Sequence, residues 1–186
     1  PINFSVPTGN FGDVYAGYLA KKIGLPINKF IVATNQNDIL HSSINKGIMN
    51  KNIVTQTYSP SMDIQVSSNF ERLLYEINDR DTNKVKQQMK DFKSTGNFEI
   101  TKNQLININK LFSAYMITDD ETIEIIKKVH TDHNYILDPH SAIGYGAVQK
   151  ALENNIIPKD MSVISLACAH PAKFPAVSYT HLRAHE

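Results

Sequence analysis

The residues best suited to chemistry fall in two places. One is the stretch "SVPTGNFGD", Ser5 to Asp13, where Gly9 and Gly12 flank an Asn10-Phe11 pair behind Thr8. The other is "ACAHPAKF", Ala167 to Phe174, which holds the single cysteine, Cys168. Amides in the first turn of a helix have no intrahelical acceptor, and the helix dipole adds about half a positive charge there. Glycines let the backbone approach a ligand closely. Together these suit a phosphate dianion. The spacing is neither G-x-G-x-x-G nor a P-loop. From spacing alone, a tight strand-to-helix turn stands level with an anion grip. By residue type alone, Cys168 also reads as a small buried apolar residue at a strand end.

Other candidates carry less. His130-x-x-His133 has half the donors of a metal site and reads as a surface pair. His140 and Ser141, in "DPHSAIG", adjoin a helix start, as a base and a hydroxyl would. Asn35, Asn37 and Asp38 follow a strand end, where sheet crevices bind ligands, and read equally as loop caps. Lys21, Lys22, Lys127 and Lys128 are expected on solvated helix faces.

Elements must hold these residues in place. Pro1 to Val6 reads as a strand and Thr8 to Asp13 as a loop. A helix follows, with Ala16, Leu19, Ala20 and Ile23 forming one apolar stripe. Gly24 is expected at its end and Pro26 as a stop. "FIVAT", Phe30 to Thr34, reads as a buried strand, completing a βαβ unit. Asn35 to Ser59 is polar and mixed, broken at Gly47. Helical spacing returns at Val66, Phe70, Leu73, Leu74 and Ile77, and again at Val85, Met89 and Phe92. "STGNF", Ser94 to Phe98, is a turn. Thr118 and Glu121 form a capping box before Ile125, Ile126 and Val129. Asp138-Pro139 is an N-cap followed by Pro at the first helical position. Met161 to Ala167 reads as a last strand, with a turn at His170-Pro171. Strand and helix mostly alternate, so the class is α/β with helices on a mostly parallel sheet. The strands are too few for a complete doubly wound sheet.

The chain has 186 residues, 41% of them hydrophobic, enough for a buried core. Nineteen Lys and Arg stand against eighteen Asp and Glu. That balance gives no reason to expect nucleic acid or an anionic membrane as partner. One cysteine excludes an internal disulfide and fits a reducing compartment. No apolar run approaches the roughly 18 residues of a membrane span. The chain opens on Pro1 in a strand-like run, as if in mid-protein.

The order of "SVPTGNFGD", "FIVATNQND", "SPSMDIQVSSNFERLL", "DPHSAIG" and "AHPAKF" resembles the threonine synthase family. The motifs run from Ser5 to Phe174. The resemblance implies the tryptophan synthase beta-like, type II pyridoxal 5'-phosphate (PLP) fold, here an incomplete parallel-sheet, three-layer α/β domain. Residues 1–176 would be the C-terminal part of its catalytic region. It implies PLP as cofactor, O-phosphohomoserine as small-molecule substrate, and a cytoplasmic enzyme that releases threonine and phosphate. Gly9, Asn10, Phe11 and Gly12 inherit the cradle of the cofactor phosphate, with the Thr8 hydroxyl beside them. Cys168 stands where the family usually has Thr, facing the pyridine nitrogen. Related enzymes use Cys there. A neutral partner leaves that nitrogen mostly unprotonated and the ring a weaker electron sink.

The family's Schiff-base lysine lies in an upstream "FKD"-type motif. This chain has only Asp91-Phe92-Lys93, in the wrong order, so no residue is assigned as catalytic and the chain alone is expected to be inactive. Lys173 lies near the cofactor in this reading without being that lysine. The last stretch, residues 177–186, "VSYTHLRAHE", departs from the family pattern and reads as a non-native tail. A non-catalytic PLP- or phosphate-binding α/β module is the second reading. A remnant without a stable fold, its sheet surface exposed, is the third.

Overall fold

The computed structural model describes residues 1–180 and 182. The expected non-native tail therefore lies partly outside the described residues, at positions 181 and 183–186.

Four parallel strands make the main sheet: β1 (Ile2–Pro7), β2 (Ile27–Thr34), β5 (Phe112–Met116) and β6 (Val163–Ser165), in the order β5-β2-β1-β6. A short antiparallel pair, β3 (Ile48–Asn50) with β4 (Asn97–Glu99), lies apart. Among the described residues, eight α-helices accompany them: α1 (Gly12–Lys22), α2 (Ile39–Lys46), α3 (Phe70–Ile77), α4 (Thr82–Thr95), α5 (Lys102–Leu111), α6 (Asp119–His133), α7 (Pro139–Glu153) and α8 (Pro175–Ser178).

Strand β2 shows why the sheet is covered on both faces. Phe30 and Val32 join one apolar cluster, with Val14, Phe70 and Phe112. Ile31 and Ala33 join the other, against Ile143, Ala147 and Ala151 of α7. Alternate side chains of a strand point to opposite faces, so an unbroken apolar run requires two covering layers. This is the parallel α/β architecture expected from the sequence.

Several local signals hold. Thr118 and Glu121 make both bonds of the capping box. Asp138 caps α7, with Pro139 at its first position. Gly24 takes φ 112° just past α1. Other expectations need correction. The stripe Ala16–Leu19–Ala20–Ile23 does not face the core; Leu19 is 44% and Ile23 89% exposed. Val14 and Tyr18 turn inward instead. Helix α1 docks through Gly17, where a β-carbon would lie 2.6 Å from the Phe30 ring. That close approach decides which side faces the sheet. Within the polar 35–59 stretch lies α2, carrying buried Ile39, Leu40 and Ile44. Val66 lies outside α3 and is exposed. Strand β6 is shorter than Met161 to Ala167. Neither α5 nor β5 carries an apolar period strong enough to stand out; α5 opens on a capping box of Thr101 and Gln104, and β5 pairs with β2 along its length.

Candidate functional site

All the parallel strands point the same way, so their carboxyl ends share one edge, where α/β proteins bind ligands. The loops leaving β1 and β6 meet there. Thr8, Gly9, Asn10 and Gly12 come from the first, Cys168 and Ala169 from the second. With Ser61 and His140 they wall a cavity of about 360 Å³. That lies within the roughly 300–1,000 Å³ usual for small-molecule sites.

The first loop is built to leave amides bare. Phe11 sits at φ 65°, ψ 10°, in the left-handed region that a bulky residue enters at a cost of about 1–3 kcal/mol. Its ring is fully buried, edge-on to Phe70 at 5.2 Å and tilted against Phe112 at 6.0 Å. Its N–H donates to Thr8 Oγ1 at 2.9 Å. Asn10 is held from the other side, its carbonyl accepting from the Asn69 amide at 3.1 Å and side chain at 3.0 Å. Its side-chain oxygen accepts from the Ser68 hydroxyl at 3.2 Å. Glycine fits closely at position 9, since a β-carbon would come within 3.2 Å of the Met62 backbone and 2.9 Å of the end of the Ile64 side chain. With the loop fixed this way, the N–H groups of Gly9, Asn10, Gly12 and Asp13 have no acceptor among the described residues. All four residues border the cavity. Phe11 does not; its side chain anchors the loop and its amide is already taken.

A polar cluster fixes the floor of the next wall. The Asp63 carboxylate accepts from Asn35 at 2.8 Å, Asn37 at 3.0 Å and the Thr57 hydroxyl at 2.7 Å. Asn35 and Asn37 therefore tie the 55–63 segment to the end of β2. That places Ser61 and Met62 on the cavity.

The second loop is tied to α7. Asp138 is buried and accepts from the amides of His140 at 2.9 Å and Ala169 at 3.3 Å, and from the Ser141 hydroxyl. The same hydroxyl accepts from the Cys168 amide at 2.9 Å. Burial alone would raise the Asp138 carboxyl. The bonds from His140, Ser141 and Ala169 outweigh it and hold the group below the usual carboxylate range. Cys168 is exposed where the cavity opens, but the walls still desolvate its sulfur. That desolvation, with the charges of Asp138 and Asp13, pushes the thiol up to about 11. It is a neutral thiol at physiological pH, not a nucleophile. The rim carries both signs of charge, from Asp13 and Lys173.

Other candidates sit elsewhere. His130 and His133 end α6, and among the described residues no three metal-binding side chains gather. Lys22 pairs with Glu76 at 3.2 Å, Lys127 with Glu124 at 2.9 Å and Lys128 with Asp132 at 2.7 Å. Lys21 is not simply solvated; it donates to the Ile27 carbonyl. The site's supporting residues Ser61, Ser68 and Asn69 lie inside the "SPSMDIQVSSNFER" motif, which was visible in the sequence without roles.

Bare amides at a helix start and a thiol on the same cavity form a donor set whose chemistry suits PLP, a phosphate monoester with a heteroaromatic ring. The architecture is that of the type II PLP-dependent enzymes: PLP-bound threonine synthase from Brucella melitensis superposes with a TM-score of 0.88 at 49% identity, covering 95% of this chain and 37% of its own. Yeast threonine synthase superposes at 0.92 with 38% identity, over 98% of this chain and 38% of its own. A family model described as the threonine synthase C-terminal region matches residues 141–183. The threonine synthase of Pseudomonas aeruginosa is 42% identical over 174 residues, 94% of this chain. The chain belongs to the threonine synthase family, as the sequence motifs implied. It spans 36% of the length of that curated relative. Among the described residues no helix is long and apolar enough to cross a membrane.

Proposed function

We propose that this chain is the part of a threonine synthase that grips PLP from its phosphate side. The whole protein would convert O-phosphohomoserine and water to threonine and phosphate. The observation that carries the reading is the set of unpaired amides at Gly9, Asn10, Gly12 and Asp13, residues that line one cavity with Cys168. Those amides hold the phosphate, aided by the start of α1. Thr8 acts one step back, by fixing Phe11. Cys168, as a neutral thiol, faces the pyridine nitrogen without adding charge. PLP, when bound, supplies an electron sink for the carbanion formed as the substrate loses its phosphate.

The chain carries no F-K-D lysine, so by itself it binds without turning over. Calorimetric titration with PLP and with inorganic phosphate tests this. Both should bind, and a hundredfold excess over Kd should stabilise the fold by about 2.7 kcal/mol. Borohydride should trap no stoichiometric lysine adduct. A chain that binds neither probe at millimolar concentration refutes the phosphate grip. A single trapped lysine, or threonine released by this chain alone, refutes the division of labour.

A further inference from the structure

The imidazole of His140 is used by nothing described so far. The residue is 4% exposed and forms part of the cavity wall. Its Nδ1 lies 3.0 Å from Asp138 Oδ1. An ionised carboxylate only accepts, so Nδ1 carries the hydrogen and donates it. In the neutral ring this leaves the lone pair on Nε2. That nitrogen is buried and has no partner among the described residues. A polar atom buried without a partner destabilises the fold. The helix start does not require it, because Asp138 caps α7 through the amides of His140 and Ser141 whatever the side chain at 140. Phe174 tilts against the ring at 4.9 Å and holds its orientation.

The same Asp138 carboxylate accepts from the Ala169 amide, and Ser141 from that of Cys168. The imidazole is thus pinned to the Cys168 end of the cavity. The bare amides of Gly9, Asn10, Gly12 and Asp13 belong to residues lining the same cavity.

We propose that His140 is a ligand-contacting residue whose Nε2 accepts a hydrogen bond from a proton-bearing group on the organic part of a phosphate monoester. The inference rests on the phosphate reading of the 8–13 loop and deepens it. The ligand class it implies carries a hydroxyl on its organic part, at a distance from its phosphate. PLP qualifies, whereas inorganic phosphate offers nothing at that end.

Two substitutions separate this role from a structural one. In His140→Asn the amide can still donate to Asp138 but ends short of Nε2. In His140→Gln a polar atom reaches close to the Nε2 position. PLP and inorganic phosphate are titrated into the 186-residue chain and both variants by calorimetry. His140→Asn should weaken PLP about tenfold, the value of one good hydrogen bond, and leave inorganic phosphate within about twofold. His140→Gln should recover most of the loss. PLP affinity in His140→Asn equal to the unsubstituted chain overturns the proposal, as does equal weakening of both probes or no recovery by Gln. If the unsubstituted chain binds neither probe, the phosphate reading has failed and this inference falls with it. If binding is intact and only the Asn effect is missing, this inference alone is wrong. A further measurement does not depend on the variants folding. The ¹⁵N resonance of His140 Nε2 should move upfield when PLP is added and stay put with inorganic phosphate. An unmoved resonance with PLP bound also overturns the proposal.

Discussion

Replacing Asp138 by Asn should destabilise the fold by about 2–4 kcal/mol, although the two side chains have the same shape. The carboxylate accepts from the His140 amide at 2.9 Å, the Ser141 amide at 3.4 Å and His140 Nδ1 at 3.0 Å, all at Oδ1. An Asn oxygen can serve all three. At Oδ2 the carboxylate accepts from the Ser141 hydroxyl and from the Ala169 amide at 3.3 Å. There Asn presents N–H instead. The Ser141 hydroxyl can reverse and accept, but the Ala169 N–H then faces another donor. One donor orphaned at this half-buried position costs about 1–3 kcal/mol, and losing the charge from the remaining bonds costs about 1 kcal/mol more. Urea unfolding followed by far-ultraviolet circular dichroism at pH 7 measures the sum. The midpoint should fall with the slope unchanged. Asp138→Ala should fall further, since it removes the helix cap as well. A D138N stability within about 0.5 kcal/mol of the unsubstituted chain would refute the reasoning that this carboxylate ties α7 to the end of β6, since an orphaned donor costs at least about 1 kcal/mol.

Acid should act through the same group. Its folded pKa lies below its unfolded value, so its stabilisation is present at neutral pH and is lost as pH falls below about 4; denaturant midpoints between pH 7 and pH 3 should drop more for the unsubstituted chain than for D138N. Cys168, its thiol pushed up to about 11, should react with iodoacetamide at pH 7.5 at least about tenfold more slowly than free cysteine, as mass spectrometry would follow. Gly9→Ala should lose about 1–3 kcal/mol in the same urea assay, because the added methyl meets the Met62 backbone at 3.2 Å. Gly12→Ala meets only Asn69 Nδ2 at 3.5 Å, so its stability should change by under about 1 kcal/mol while its PLP affinity falls.

What the sequence determined by itself was mostly local. The caps at Thr118 and Asp138 and the glycine after α1 work through bonds spanning two to four residues, so their residue types suffice to place them. The β1–loop–α1–β2 order and the covered parallel sheet were legible for a related reason: an apolar run such as "FIVAT" has to be buried on both faces. The motifs carried the family. Tertiary structure decided the rest. Strand β5 takes shape by pairing with β2 and α2 by burying Ile39, Leu40 and Ile44, rather than from their own periodicity. The inward face of α1 is set by the fit of Gly17 over Phe30. Which amides of the "GNFG" loop stay bare depends on partners far along the chain, since Ser68, Asn69 and Phe70 bend Asn10 and Phe11 into place. Cys168 meets that loop only because β6 pairs beside β1 across the whole length of the chain. Bonds between neighbours in sequence are written in residue types, whereas a cavity is the space left after distant segments have packed, and no short window of sequence contains it.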